Sequence, residues 1–199
     1  MRKKFFILVF LALTTAAFAQ TKIGLTGHLS ASNNGAWPSI GVEIDVGPVD
    51  ILAELEFWVD RDSFTGGEGS WSSWALEFYA GIAPKVEITE KLTLSIPILA
   101  KIFHYKEGYN FKGNRYIPDG MKGLSYNGFG LDLGARAYYA LSKRWSIFAG
   151  FQVAAMTYQG EGKGKAWSST GYIINVTENM SEMYFFNSGS FDLGIKFTF

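Results

Sequence analysis

Eleven ionisable side chains stand at even spacing among apolar neighbours: Glu43, Asp45, Glu54, Glu56, Glu77, Asp132 and Asp192, with Lys22, Lys101, Arg136 and Lys196. Carboxylates in such number could move protons or line a path for cations. A charge taken out of water, however, costs several kcal/mol unless it is paired. The same eleven residues can therefore equally form a closed ion-pair network, with seven acids against four bases leaving three carboxylates uncompensated if all are ionised. From their places along the chain, Glu54, Glu56 and Glu77 are expected near Lys101, with Asp132 and Arg136 one segment further round.

Other chemistry finds little support. No cysteine is present, which removes disulfides, thiolate metal ligands and thiol nucleophiles together. His28 and His104 are the only histidines and lack metal-ligand spacing. His28 and Ser30 could form a base and nucleophile, but no acid is placed to orient the imidazole. Gly160-Glu161-Gly162-Lys163-Gly164-Lys165 lacks the first glycine of a phosphate-binding loop and reads as a loop tip. Eighteen basic and 18 acidic residues give no general attraction to nucleic acid. We therefore expect no catalytic residue, metal or cofactor. One segment, 106–126, combines Lys106, Lys112, Arg115 and Lys122 with Tyr109, Phe111 and Tyr116, and Tyr105 precedes it. Cations among aromatic rings suit phosphate groups or an external ligand.

The elements that position these residues follow from the apolar pattern. Met1 to Lys4 is basic, Phe5 to Leu13 is uniformly apolar, and Ala17-Phe18-Ala19 has the small-x-small form of a cleavage site. Residues 1–19 are expected to be a removable export signal, since nine apolar residues fall well short of the ~20 that span a membrane as a helix. Residues 20–199 form one expected domain, with 15 basic and 18 acidic residues.

From Lys22 onward the apolar period is two, which indicates strands. Ile23, Leu25 and Leu29 share a face in the first segment, Ile51, Leu55, Phe57 and Val59 in the third, and Phe191, Leu193, Ile195, Phe197 and Phe199 in the last. Eight such segments supply 42 positions to one face, and none is charged. The opposite face carries the eleven ionisable residues among Gly, Ala, Ser and Thr. A soluble sandwich would scatter charge over its outside, whereas an apolar exterior around a narrow polar interior is the pattern of a membrane barrel. Short turns at Gly47-Pro48, 89–91 and 141–144 alternate with long connections at 61–73, 106–126 and 159–187. Aromatic residues gather at both strand ends: Phe57, Trp74, Phe129 and Phe191 at one, Tyr139, Trp145 and Phe199 at the other, as two interfacial girdles require. The expected fold is all-β, an eight-stranded antiparallel up-and-down transmembrane β-barrel. Splitting the last long connection around 172–176 would make ten strands, the less favoured count.

The closing segment, Phe191-Asp192-Leu193-Gly194-Ile195-Lys196-Phe197-Thr198-Phe199, resembles the C-terminal strand signal of bacterial outer-membrane barrels. The 20–199 region as a whole resembles the small eight-stranded group typified by the barrel of outer membrane protein A and by outer membrane proteins X and W. That resemblance implies residence in the bacterial outer membrane and contact with its lipids and lipopolysaccharide. It also implies recognition of Phe191, Leu193, Ile195, Phe197 and Phe199 by the barrel assembly machinery. A monomer is expected, without a peptidoglycan-binding domain after Phe199, so no tethering role of the long protein A type. His28 and Ser30 are similar to the His-x-Ser of outer-membrane lipid A deacylases, but the missing acid argues against that activity. The expected role is non-catalytic: a lumen plugged by Glu43, Glu54, Glu56, Glu77, Lys101, Asp132, Arg136, Asp192 and Lys196, beneath loops that meet an extracellular ligand or support the membrane. The alternative is a narrow channel for small apolar solutes of the protein W kind, which Trp58, Tyr79, Phe103 and Tyr158 lining the upper lumen would favour.

Overall fold

A computed structural model describes residues 21–32, 35–63, 69–111, 121–167, 173–179 and 181–199. The expected export signal, together with Lys112, Arg115 and Tyr116, lies outside the described residues; Lys122 is in a strand, but its side chain is not described. The strands are β1 (Lys22–Ser32), β2 (Gly35–Asp45), β3 (Val49–Ser63), β4 (Gly69–Glu87), β5 (Leu92–Ser95), β6 (Ile98–Phe111), β7 (Met121–Ala140), β8 (Trp145–Gln159), β9 (Gly162–Trp167), β10 (Ile173–Glu178), β11 (Glu182–Phe185) and β12 (Gly189–Thr198).

All pairings are antiparallel, and the sheet closes. β1 pairs with β2 on one side and with β12 on the other, from Gly24 opposite Thr198 to Ala31 opposite Phe191. β5 and β6 are one barrel strand interrupted at Ile96-Pro97, where proline has no N–H to give the ladder; both halves lie between β4 and β7. β11 extends β12 along the upper part of β8. Eight barrel strands result. Of the segment 172–176, where a ten-stranded count would split the chain, residues 173–176 instead belong to β10, which pairs with β9. β9 in turn pairs with the upper end of β7, which leaves the ring at eight.

The two-residue period dictates which side chains face out. Ile40, Ile102 and Leu193 are 65%, 62% and 61% exposed and belong to a continuous apolar belt around the outside. Buried on the inside are Glu43, Glu54, Asp132, Arg136 and Asp192. In water this belt would be an extreme exposed apolar patch, and only hydrocarbon makes it favourable. Both aromatic girdles are present: the Trp145 and Phe197 rings pack with centres 4.8 Å apart near the short turns, and those of Phe129 and Tyr158 with centres 4.9 Å apart toward the other rim.

Two sequence expectations need correction. First, much of what reads as long loop is strand: β3 runs to Ser63 and β4 begins at Gly69, while β6 continues to Phe111 and β7 starts at Met121. β4 and β7 have 19 and 20 residues, against the ~9–11 that cross a bilayer, so the wall rises well above the belt. Second, β8 carries a bulge: Leu131 opposes Met156 while Asp132 opposes Ala154, which leaves Ala155 extra. The extra residue inverts the in–out alternation beyond it. Thr157 is therefore buried and Tyr158 packs against the outward Phe129, outside the lumen.

Candidate functional site

The interior ionic residues assort into tiers along the barrel axis. Nearest the short turns, Lys85 on β4 bonds Asp50 at 2.7 Å and pairs with Asp45 at 3.0 Å, while the Gly47 amide donates to Asp45 at 2.9 Å. Above this, Lys196 pairs with Glu43, which also accepts the Tyr138 hydroxyl at 2.6 Å. The Lys196 ammonium lies 5.4 Å from the Tyr138 ring centre.

The middle tier centres on Arg136. Its guanidinium is bidentate to Glu54 on the opposite wall, with Nη2 donating to Oε2 at 2.9 Å, and it reaches Asp192 on β12 at 3.4 Å. Asp192 also accepts from Ser30 at 3.0 Å. All three ionic groups are at most 3% exposed, and the Arg136 guanidinium lies 5.5 Å from the Phe148 ring centre. Room for so large a side chain comes from the facing Gly150, where a Cβ would lie 2.7 Å from Arg136 Cγ. A planar fork holding two carboxylates from β3 and β12 ties three parts of the wall across the lumen.

The upper tier is built differently. Lys101 pairs with Asp132 at 3.3 Å and reaches Glu77 only at 3.7 Å; Gln152 donates to Asp132 at 3.0 Å and Tyr79 to Glu77 at 2.6 Å. Glu56 opposes Glu77 directly across β3 and β4. No basic nitrogen among the described residues pairs with Glu56, although it is only 8% exposed. These groups floor a cavity of about 530 Å³ whose wall includes Trp37, Trp58, Trp71, Tyr105 and Tyr126. Trp58 and Tyr105 meet above Ala75, the small β4 residue that opposes both, with ring centres 5.8 Å apart. Trp37 extends the arc at 5.9 Å on one side and Tyr126 at 4.8 Å on the other. Above the belt, Tyr109 donates to Glu107; burial, then that hydrogen bond, pushes its phenol up to about 12.

The sequence-derived set is thus brought inside, with Lys101 serving Asp132 and Glu77 and Arg136 serving Glu54 and Asp192. Lys22 departs from it, being exposed at the rim. Three members were missed: Asp50 and Lys85, which continue the inward alternation just beyond the apolar runs that define β3 and β4, and Tyr138, an apparent wall aromatic. The grouping of Lys106 with Tyr109 does not hold as one loop surface. Both lie on β6, and the strand alternation turns Lys106 outward and Tyr109 inward. His28 packs edge-on against Phe148 at 5.5 Å while Ser30 serves Asp192, so no base–nucleophile pair forms. No group of three or more His, Cys, Asp or Glu among the described residues could hold a metal ion.

Neither a protein-family model nor a curated protein sequence matches the chain. Solved structures do. A major outer membrane protein from Thermus thermophilus superposes with a TM-score of 0.65 at 13% identity, covering 90% of this chain and 100% of that one. Neisserial surface protein A gives 0.48 at 11% identity, over 90% and 96% of the two chains. The attachment invasion locus protein of Yersinia pestis, solved with the heparin analogue sucrose octasulfate, gives 0.47 at 10% identity with the same coverage. The closed ring, its apolar exterior and the first of these superpositions together identify the fold as that of the small eight-stranded outer-membrane β-barrels.

Proposed function

We propose that this chain is an exported, monomeric barrel of the bacterial outer membrane that acts without catalysis, its lumen closed and its tall outward rim meeting external ligands or lipopolysaccharide. The observation that carries this reading is the Arg136 bridge, which binds Glu54 and Asp192 from opposite parts of the wall in a section with almost no solvent exposure. An eight-stranded ring is only wide enough for side chains to fill, and here ion pairs fill it. The outward Phe191, Leu193, Ile195 and Phe199 at the β12 end of the chain fit recognition by assembly machinery at the lipid-facing surface. Passage of apolar solutes is disfavoured, because Tyr158 lies outside the lumen and Glu56, Glu77, Lys101 and Asp132 floor the upper cavity.

Planar-bilayer recording tests the closed lumen. The purified, heat-modifiable barrel should leave the bilayer silent, and reproducible unitary openings would remove the plug from this account.

A further inference from the structure

The upper cavity has the composition of a cation receptor. Its described lining carries Glu56, Asp60, Glu77 and Asp132 against Lys101 alone, and that lysine is already shared between Asp132 and Glu77. Glu56 is only 8% exposed, faces the cavity and accepts a hydrogen bond from Ser30, but has no basic partner among the described residues. The direct juxtaposition of Glu56 and Glu77 favours uptake of positive charge, as a proton or as a cation. Above the carboxylates stands the arc of Trp37, Trp58, Tyr105 and Tyr126, whose ring faces attract cations further.

We propose that this vestibule binds a compact organic cation, of the quaternary or alkylated ammonium class, with its charge against Glu56 and Glu77 and its alkyl groups on the Trp58–Tyr105 wall. A metal ion is disfavoured because the carboxylates are too dispersed to form a ligand set. An anion would face the surplus of acids. A neutral sugar could use the aromatic wall but would leave Glu56 uncompensated. At about 530 Å³ the cavity is within the ~300–1,000 Å³ usual for small-molecule sites. The proposal needs only the open vestibule and not the Arg136 bridge beneath it. A barrel that conducts yet binds cations would sink the closed lumen and leave this inference standing.

The experiment follows tryptophan emission of the purified, detergent-folded protein at low ionic strength. It is titrated with choline and with the neutral isostere 3,3-dimethylbutan-1-ol, in wild type and in Glu56→Gln. Choline should give a saturable change, the isostere at least tenfold weaker binding, and Glu56→Gln at least a tenfold loss of choline affinity with heat-modifiable mobility retained. Absence of saturation, equal binding of the two probes, or undiminished choline binding by folded Glu56→Gln would each overturn the proposal. Should that variant fail to fold, the wild-type preference between the two probes decides alone.

Discussion

The middle and upper tiers of the lumen both set carboxylates around one base and share strands β3 and β7, yet they reach opposite electrostatic states. Around Arg136 each carboxylate has a cationic partner, side chains meet across the barrel axis and solvent is excluded. Two residues further along β3 suffice to change this: there Glu56 faces Glu77, and the nearest base already serves another acid. Ionisable groups are accommodated in this wall in two ways, by internal pairing in one tier and by lining a cavity in the other. The difference separates a tier that holds the barrel shut from one left able to accept a counter-ion.

The largest expected effect breaks the first tier. Arg136→Ala leaves Glu54 and Asp192 buried without a cation and should cost about 3–5 kcal/mol, read from the denaturant midpoint of the barrel in detergent. An unchanged midpoint would mean that the bridge does not bear on stability. Gly150→Ala attacks the same tier by volume. The new methyl would lie 2.6 Å from the Ala135 carbonyl oxygen and 2.7 Å from Arg136 Cγ, and a loss of about 1–3 kcal/mol is expected in the same assay. The last two substitutions sharpen the contrast between paired and unpaired carboxylates, because one substitution type should change sign along the lumen. Glu43→Gln deprives Lys196 of its counter-charge and should destabilise by about 1.5–3 kcal/mol. Glu56→Gln relieves the pairing with Glu77 and should stabilise by about 0.2–1 kcal/mol. Equal signs for the two would erase the distinction between paired and unpaired carboxylates.

The outside of this molecule was more legible in its sequence than the inside. A lipid-facing wall demands an apolar residue at every second position, so Ile51, Leu55 and Phe57 announce both strand and face without reference to any partner. Which acid meets which base depends on distances across the lumen. Glu54 finds Arg136 on the far wall rather than Lys101, and no local pattern encodes that. The β8 bulge was equally hidden, because Val153, Ala155 and Met156 are all tolerated facing lipid and the run shows no break. Asp50 and Lys85 were within reach, since extending the alternation past the last apolar residue places both inside. The rim residues Lys106 and Tyr109 were misgrouped because strands that stand clear of the belt lose the apolar alternation that marks them lower down.

The pairing of β1 with β12 also has a kinetic side. Ser30 and Asp192 touch across 162 positions of sequence, and every rung between these two strands spans a comparable stretch. Joining them is the most entropically demanding step of assembly, and until it happens two bare ladder edges stand ready to engage a neighbouring chain. Asp192 gathers Ser30, Arg136 and, through the guanidinium, Glu54 at that junction. The latch therefore forms only when the ring does, which makes completion cooperative and reopening slow.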